Sequence, residues 1–412
     1  MLTRHIQNQI QTLLAHFPCV VLTGVRQCGK TTLLGTLGPQ WQHFDMENSA
    51  DRQQLLDDPD LFLRLHPDKL VIDEAQLAPP LFSALRVAID SDRSKKGRFI
   101  VSGSSSPELV KQISESLAGR VGLIEMAPLS VSEAWQQPPS RLYALLAQGA
   151  PVTELQAAMD SPPLSAQQVR DYWFAGGYPE PWLSQNATFR DLWTRNYIDT
   201  YLLRDIGALF PGLNRDRFRQ FVNLLSQHSG NILNNADIAR TLGVSEPTVR
   251  DWLHIAHDTF LWRHIPAWSQ SSIKQLVKHP KGYMRDTGLL HQLLRIPDSE
   301  LLVTHPVVGK SWEGMVVEQL LRGFENAGFD VQPFHYRTRG GAEIDLILQG
   351  RFGSAQWLPV EIKLTQQGDK RALRALAEFI TANDCPLGLV INNDARARWL
   401  DDRILAIPAA CL

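Results

Sequence analysis

A short glycine-rich segment constrains this chain more than any other feature of its sequence. Residues 24–31 read Gly-Val-Arg-Gln-Cys-Gly-Lys-Thr and follow an apolar run at residues 19–23. An apolar run of this length before a glycine-rich turn is typical of a buried parallel strand, and residues 31–37 can then begin a helix. A loop between such a strand and a helix points its backbone N–H groups at an anion. The segment therefore predicts a parallel α/β sheet with a phosphate-binding edge.

The positions of lysine and threonine in this loop complete the Walker A pattern. Lys30 is predicted to contact the β- and γ-phosphates of ATP and to act in catalysis, and the Thr31 hydroxyl is predicted to ligate Mg²⁺. The other nucleotide contacts predicted in this segment are Gly24, Val25, Arg26, Gln27, Cys28, Gly29 and Thr32. ATP and Mg²⁺ are therefore the expected cofactors.

A pair of acids at the end of a second apolar strand, residues 69–73, has the Walker B arrangement. Asp73 is predicted to hold Mg²⁺, and Glu74 to orient or deprotonate the attacking water. By itself, an Asp-Glu pair at a strand end is often a solvated turn. Together with the phosphate-binding loop upstream, it indicates a site that hydrolyses ATP.

Two further residues are candidates for the same site, and each has an alternative interpretation. Ser104 follows the third strand, at residues 98–103, and is predicted to sense the γ-phosphate, unless it belongs to a turn that caps the next helix. Arg120 is the candidate arginine finger acting on an adjacent subunit, unless it is an ordinary surface arginine. A finger that acts between subunits would make the protein a homo-oligomer.

The length of 412 residues exceeds the roughly 250–300 residues of a single core, so several domains are expected. No apolar run approaches the roughly 20 residues that span a bilayer, and residues 1–10 lack the apolar stretch of a secretory signal. Four cysteines without a Cys-x-x-Cys pair suit a reducing cytoplasm. The predicted domains are a P-loop ATPase core at 1–128, a proline-rich helical lid and connector at 129–215, a winged helix-turn-helix at 216–304 and an α/β domain at 305–412.

Residues 234–253 have the pattern of a helix-turn-helix. Gly243 is predicted to make the turn, Ser245 to cap the second helix, and Thr248 and Arg250 to point outward. The second helix is expected either to contact DNA or to pack against protein, since acids lie among its bases. The formal net charge of −2 provides no overall attraction to nucleic acid, so DNA binding would need a local basic surface.

The last domain carries acids and a lysine in a pattern that suits metal-dependent cleavage of a phosphodiester. Glu313 lies in a predicted helix, Asp345 in a strand at 343–348, and Glu361 and Lys363 on one face of the next strand. Glu313, Asp345 and Glu361 are predicted to bind Mg²⁺, with Lys363 positioning the water. The alternative is a polar, solvated face of a half-exposed sheet. Basic residues just before the strand, Arg337 and Arg339, are expected to contact the DNA backbone.

Several segments together resemble a group of prokaryotic AAA+ superfamily ATPases that carry a C-terminal domain of unknown function. The segments are residues 24–33, 71–76, 102–105, 117–120, 176–179 and 280–289. The residues Glu313, Asp345, Glu361 and Lys363 also resemble the PD-(D/E)xK nuclease fold, which includes archaeal Holliday-junction resolvases. This resemblance implies an α/β chain with an AAA+ parallel sheet and a nuclease-like C-terminal domain that binds or cuts branched DNA.

Two functions are consistent with these patterns. The first is an ATP-hydrolysing motor or nuclease that acts on structured DNA, with the four-way junction as the most specific substrate. The second is an ATP-dependent switch or regulatory DNA-binding protein whose nuclease-like domain is inactive. Both predict duplex or branched DNA as a partner.

Overall fold

The computed structural model describes residues 2–104, 112–113, 115–201, 206–210, 212–269, 279–338, 340–365 and 370–412. The chain forms two compact units. One unit contains residues 4–128 with residues 258–260, and the other contains residues 2–3, 129–257 and 261–412. The first boundary coincides with the one predicted at residue 128. The remaining residues form one compact unit, where the sequence suggested three domains.

The first unit is built on a parallel sheet with the strand order β2-β3-β4-β1-β5. Its strands are β1 Cys19–Gly24, β2 Gln42–Asp45, β3 Leu70–Asp73, β4 Phe99–Ser104 and β5 Val121–Met126. Its helices are α1 Gln7–His16, α2 Lys30–Leu34, α3 Ser49–Asp57, α4 Pro59–Leu65 and α5 Pro80–Asp90. Strands β1, β3 and β4 are almost wholly buried and apolar, as strands covered on both faces should be. The predicted N-terminal parallel sheet is therefore confirmed.

The second unit begins with a run of helices. These are α6 Val131–Ala134, α7 Leu142–Gln148, α8 Val152–Met159, α9 Ala166–Ala175, α10 Pro179–Leu183, α11 Ala187–Thr200, α12 Ile206–Leu209 and α13 Arg215–Gln227. Local sequence fixes several helix starts. Ser130 with Glu133 and Ser165 with Gln168 form capping boxes at α6 and α9.

A pair of short helices occupies the predicted helix-turn-helix. They are α14 Asn235–Leu242 and α15 Glu246–Asp258, joined through Gly243 at a φ of 62°. A left-handed residue at this position ends α14, and glycine takes this conformation without a steric cost. Around the pair lie β6 Asn231–Ile232, β7 Trp262–Ile265 and β8 Lys281–Met284, which form an antiparallel sheet of order β6-β8-β7.

The C-terminal part contains a six-stranded mixed sheet of order β13-β14-β12-β11-β10-β9. The strands are β9 Gln332–Arg337, β10 Glu343–Phe352, β11 Ala355–Ile362, β12 Gly388–Asn392, β13 Arg398–Asp401 and β14 Ile404–Pro408. The helices are α16 Thr287–Leu293, α17 Ser299–Thr304, α18 Val308–Asn326 and α19 Lys370–Ala382. Apolar residues of α18 and of α19 belong to two separate cores, each of which also contains residues of this sheet. Both faces of the sheet are therefore covered. None of the helices in the described ranges is long and apolar enough to cross a membrane.

Candidate functional site

The loop after β1 has the conformation that its glycines permit. A Cβ on Gly24 would lie 2.2 Å from the carbonyl oxygen of Met126, so a side chain there would collide with the backbone of β5. Gly29 has a φ of 96° immediately before α2. The Lys30 Nζ donates hydrogen bonds to the carbonyl oxygens of Gly24, at 3.0 Å, and Val25, at 3.1 Å. The lysine is therefore held inside the loop that the sequence assigned to phosphates.

The predicted magnesium ligands lie in contact. The Thr31 Oγ1 donates to Asp73 Oδ2 at 2.6 Å, and the backbone N–H of Glu74 donates to Asp73 Oδ1 at 3.0 Å. Strand β4 lies between β1 and β3, and its Ser102 hydroxyl donates to Asp73 Oδ1. Hydroxyl and carboxylate oxygens are the ligands that Mg²⁺ prefers, so this donor set fits the ion. Thr31 and Asp73 would hold it.

A glutamine that the sequence reasoning missed connects the two remaining polar residues of this edge. The Gln76 Nε2 donates to the Glu74 carboxylate and, at 3.2 Å, to the Ser104 hydroxyl. Ser104 is buried and pairs in register with Gly24, so it lies beside the loop, and its role as a γ-phosphate sensor stays a prediction. The Gln76 Oε1 is buried without a hydrogen-bond partner. Its position two residues after Glu74 was the available signal, since any polar side chain so close to the acid can orient it.

A second missed residue supports the loop from the N-terminal segment. The buried Arg4 guanidinium donates to the carbonyl oxygens of Cys28, at 2.8 Å, and Ala127, at 2.7 Å. It therefore ties the phosphate-binding loop to the end of β5. No local pattern indicated this role, because Arg4 precedes β1 by 15 residues and the contact is tertiary.

Arg120 lies at the amino-terminal ends of the parallel strands, whereas the phosphate-binding loop lies at their carboxyl ends. It directly precedes β5, whose first residue pairs with Cys19, whereas the loop begins where Gly24 pairs with Met126. Its guanidinium makes two hydrogen bonds of 2.8 Å to the Asp90 carboxylate, and these bonds hold the pKa of Asp90 well below its usual range. This placement fits a surface arginine. If Arg120 acts as an arginine finger, it acts on the ATP site of another subunit.

The four residues predicted for a nuclease-like site come together in the second unit. Glu361 Oε1 lies 2.5 Å from the Lys363 Nζ, which is 3.8 Å from Asp345 Oδ2. The backbone N–H of Ile362 donates to the same Asp345 oxygen at 2.9 Å. Glu313, on α18, reaches this group through a further residue, Lys281 of β8. We call Lys281, Glu313, Asp345, Glu361 and Lys363 the carboxylate cluster.

Lysine ammonium groups separate the acids of the carboxylate cluster. The Lys281 Nζ forms an ion pair with Glu313 Oε1 and lies 3.7 Å from Asp345 Oδ1. Among the residues that the structure describes, no group of three or more His, Cys, Asp or Glu side chains is arranged to hold a metal ion. The geometry therefore does not support the prediction that Glu313, Asp345 and Glu361 bind Mg²⁺. The physical reason is that cations of the protein already lie between these acids.

Charge and burial act against each other in the carboxylate cluster. Burial by itself would lower the pKa of Lys281, but the charges of Glu313 and Asp345 outweigh it and raise that pKa. Burial and the nearby Asp345 charge raise the pKa of Glu361 to about 8. The second oxygen of this glutamate, Oε2, is buried and has no hydrogen-bond partner. The acids are thus largely out of solvent, and the solvated-face interpretation does not describe them.

The remaining predicted DNA contacts have mixed charge. On α15, Arg250 is exposed and Thr248 half-buried, but Glu246 and Asp251 are exposed beside them. Arg337 pairs with Glu343 at 2.9 Å. Arg339, also predicted to contact the DNA backbone, falls outside the described residues.

The parallel sheet, the phosphate-binding loop and the Thr31–Asp73 contact define a P-loop protein with an AAA domain, and the AAA domain family matches residues 16–135. Two families described as domains of unknown function, DUF8612 and DUF4143, match residues 166–300 and 308–412. These two matches provide no support for the predicted winged helix or nuclease-like domain.

Two mycobacterial proteins are similar to the whole chain. The uncharacterized protein Rv2008c of Mycobacterium tuberculosis is 34% identical over 412 residues, a match that covers 98% of this chain and 83% of the relative. The uncharacterized protein Mb2031c of Mycobacterium bovis gives the same values. The chain belongs to the family of these proteins.

The similarity of this chain to solved structures has low TM-scores. The Walker-type ATPase PABY2304 of Pyrococcus abyssi shares 15% identity at a TM-score of 0.39, over 71% of this chain and 95% of that chain. A RuvB variant of Thermotoga maritima shares 15% identity at a TM-score of 0.29, over 67% and 95% of the two chains.

Proposed function

We propose that this protein is an ATP-dependent switch, which hydrolyses ATP with Mg²⁺ in its AAA domain and engages DNA through its second unit without cutting it. The Thr31–Asp73 contact of 2.6 Å beside the glycine loop carries the proposal. Lys30 would contact the β- and γ-phosphates, and Glu74 would orient the water for attack. The Gln76 hydrogen bond to Glu74 would hold that carboxylate in place.

The ATPase proposal is tested with two variants that fail in different ways. Glu74→Gln removes the base but no phosphate contact, so we expect turnover to fall about 100-fold or more while ATP binding persists. Lys30→Ala should instead weaken ATP binding itself. Asp60→Asn, an exposed acid-to-amide change on α4, is the matched control and should retain turnover. Normal hydrolysis by the Glu74→Gln protein would overturn this assignment.

DNA is the proposed partner of the switch. A helix pair with a glycine turn, followed by strands of a small antiparallel sheet, is the element order of a winged helix. The exposed acids on α15 oppose contact with the DNA backbone, so few phosphates are neutralised. Binding is therefore expected to be modest and to depend only weakly on salt. Fluorescence anisotropy with labelled duplex DNA measures this, with Arg250→Ala as the test variant. We expect Arg250→Ala to weaken binding, and an affinity that this substitution leaves unchanged would contradict a DNA contact by α15.

Cleavage of branched DNA is the second candidate, and the adjacency of Asp345, Glu361 and Lys363 favours it. Labelled linear, forked and four-way DNA are incubated with and without ATP and Mg²⁺. Cutting that disappears in Asp345→Ala and in Lys363→Ala would establish the nuclease and displace the switch. Intact DNA together with slow ATP turnover that DNA does not stimulate would favour the switch, whereas fast DNA-stimulated turnover would favour a motor.

Assembly into a homo-oligomer is proposed through Arg120, which can act only on a neighbouring subunit. Mixing Arg120→Ala chains with Glu74→Gln chains tests this, because each variant lacks a different half of an intersubunit site. Recovery of ATP turnover on mixing supports the finger. Full turnover by Arg120→Ala alone would contradict it.

A further inference from the structure

The segment Pro280-Lys281-Gly282-Tyr283 is one of those that carry the family resemblance, yet it contributes no residue to the proposed ATP site. In β8 the side chains alternate between the two faces of the strand. A Cβ on Gly282 would lie 2.4 Å from the Trp262 ring, so only glycine lets β8 pack against β7 at this point. Lys281 and Tyr283 lie on the other face, and both contact Glu313 Oε1. The strand thus delivers a cation and a hydroxyl into the carboxylate cluster.

The Lys281 ammonium group lies where two acids from different elements meet. It contacts Glu313 of α18 and lies 3.7 Å from Asp345 Oδ1 of β10, while the other Asp345 oxygen faces Lys363. Its side chain is only 8% exposed. A buried cation between two carboxylates performs the charge compensation that a divalent ion otherwise provides. The buried Glu361 Oε2, which has no hydrogen-bond partner, is the ligand atom that this arrangement leaves unused.

We propose that the Lys281 ammonium group occupies the divalent-cation position between Glu313 and Asp345, so that the carboxylate cluster binds no metal while β8 stays in place. The inference deepens the proposed switch function, on which it rests, because it names the group that keeps the second unit from cutting DNA. It also assigns a latent metal site to Glu313, Asp345 and Glu361, which takes a hard divalent ion such as Mn²⁺ or Mg²⁺ once the lysine is removed.

The test measures Mn²⁺ binding by electron paramagnetic resonance on the full chain without nucleotide. Asp73→Asn is present throughout, so that the ATP site does not contribute an ion. Lys281→Met keeps the length of the side chain and removes its charge. We expect this variant to bind one more Mn²⁺ per chain, at least about tenfold more tightly than the parent binds any ion at the cluster, because the ligand charge is then uncompensated. Adding Asp345→Asn to Lys281→Met should abolish the gain.

A second lysine provides the matched control. The Lys310 Nζ lies 3.6 Å from Glu313 Oε2, but its side chain is 40% exposed at the rim. Lys310→Met removes the same charge next to the same acid and leaves Lys281 in place, so no additional Mn²⁺ should bind. Extra binding in Lys310→Met equal to that in Lys281→Met would show a general charge effect and overturn the proposal.

If Lys281→Met does not fold, Mn²⁺ binding to the parent chain still tests the proposal. Asp345→Asn alone should leave the Mn²⁺ stoichiometry of the parent unchanged, and a decrease would show that the cluster already binds metal. A folded Lys281→Met chain that gains no ion would also overturn the inference. ATP turnover is measured separately on chains that retain Asp73. Failure of the ATPase proposal therefore appears in turnover, and failure of this inference appears in Mn²⁺ binding.

Discussion

His291 is a buried histidine whose two ring nitrogens have different partners. Nδ1 lies 3.0 Å from the Phe174 carbonyl oxygen, which only accepts, so this nitrogen carries the hydrogen. Nε2 lies 2.7 Å from the Ser311 hydroxyl, whose oxygen accepts from the Trp173 indole at 2.9 Å. Each group is satisfied when the ring is neutral. Protonation of His291 Nε2 would remove the acceptor of the Ser311 hydroxyl hydrogen.

The neutral state of His291 predicts a loss of stability in mild acid. Burial lowers the pKa of His291 to about 4, below the ordinary value of 6.5, so the unfolded chain takes up a proton first as the pH falls. The contribution of this residue to the free energy of unfolding therefore decreases from about pH 6.5 to about pH 4, by at most about 3 kcal/mol. Urea unfolding across this range should show a shallower decrease for His291→Gln. His16→Gln, at an exposed histidine, is the control, and a slope for His291→Gln equal to that of the parent would refute the prediction.

Arg4 allows a second prediction for a single side chain. Replacing it by methionine leaves the carbonyl oxygens of Cys28 and Ala127 without their buried donor. An unsatisfied buried acceptor costs about 1–3 kcal/mol, and the phosphate-binding loop should loosen. We expect Arg4→Met to raise the KM for ATP several-fold, with a smaller change in kcat, because no reacting atom is touched. An unchanged KM in a folded protein would show that the loop does not depend on this contact.

At the scale of helices and strands, the apolar pattern predicted most of the elements that position the carboxylate cluster. Helix α18 and strands β10 and β11 contain Glu313, Asp345 and Glu361 as predicted, because each element has a clear period of 3.6 or 2 residues. Lys281 was missed as a member of the carboxylate cluster. It is separated from Glu313 by 32 positions, and nothing in local periodicity tells which face of β8 meets α18. Periodicity thus identified the acids, and only tertiary packing shows the cation between them.

Two glycines on α18 test how closely this helix packs. A Cβ on Gly323 would lie 1.8 Å from Cζ of Tyr143, whereas a Cβ on Gly309 would meet nothing within 4 Å. Gly323→Ala should therefore destabilise the second unit by about 1–3 kcal/mol through overpacking. Gly309→Ala should be neutral or stabilise it by up to about 1 kcal/mol, since alanine is the better helix former. Chemical denaturation measures both, and equal effects of the two changes would contradict the contact between Gly323 and Tyr143.

At the scale of the whole molecule, the hydrophobic core of the first unit is separate from the two cores of the second. The core of the first unit contains residues of β1, β3 and β4 with α4 and α5. The large core of the second unit includes Trp173, Trp312 and Phe324 and extends to the last residue of the chain. The sequence predicted the boundary at residue 128 from a change in proline content. It did not predict that residues 129–412 form one unit, because long-range packing between separate segments leaves no local pattern.

Separate cores predict that ATP stabilises only part of the protein. A ligand that binds one folded unit raises the unfolding free energy of that unit by about 2.7 kcal/mol at 100 times its Kd. All the proposed ATP ligands lie within residues 24–104, which belong to the first unit. Scanning calorimetry should therefore show two transitions, with Mg²⁺ and ATP raising the Tm of one of them. In Lys30→Ala neither transition should move. A single transition that shifts as a whole would mean that the two units unfold together. Nucleotide binding in the first unit would then also stabilise the second unit, through folding cooperativity.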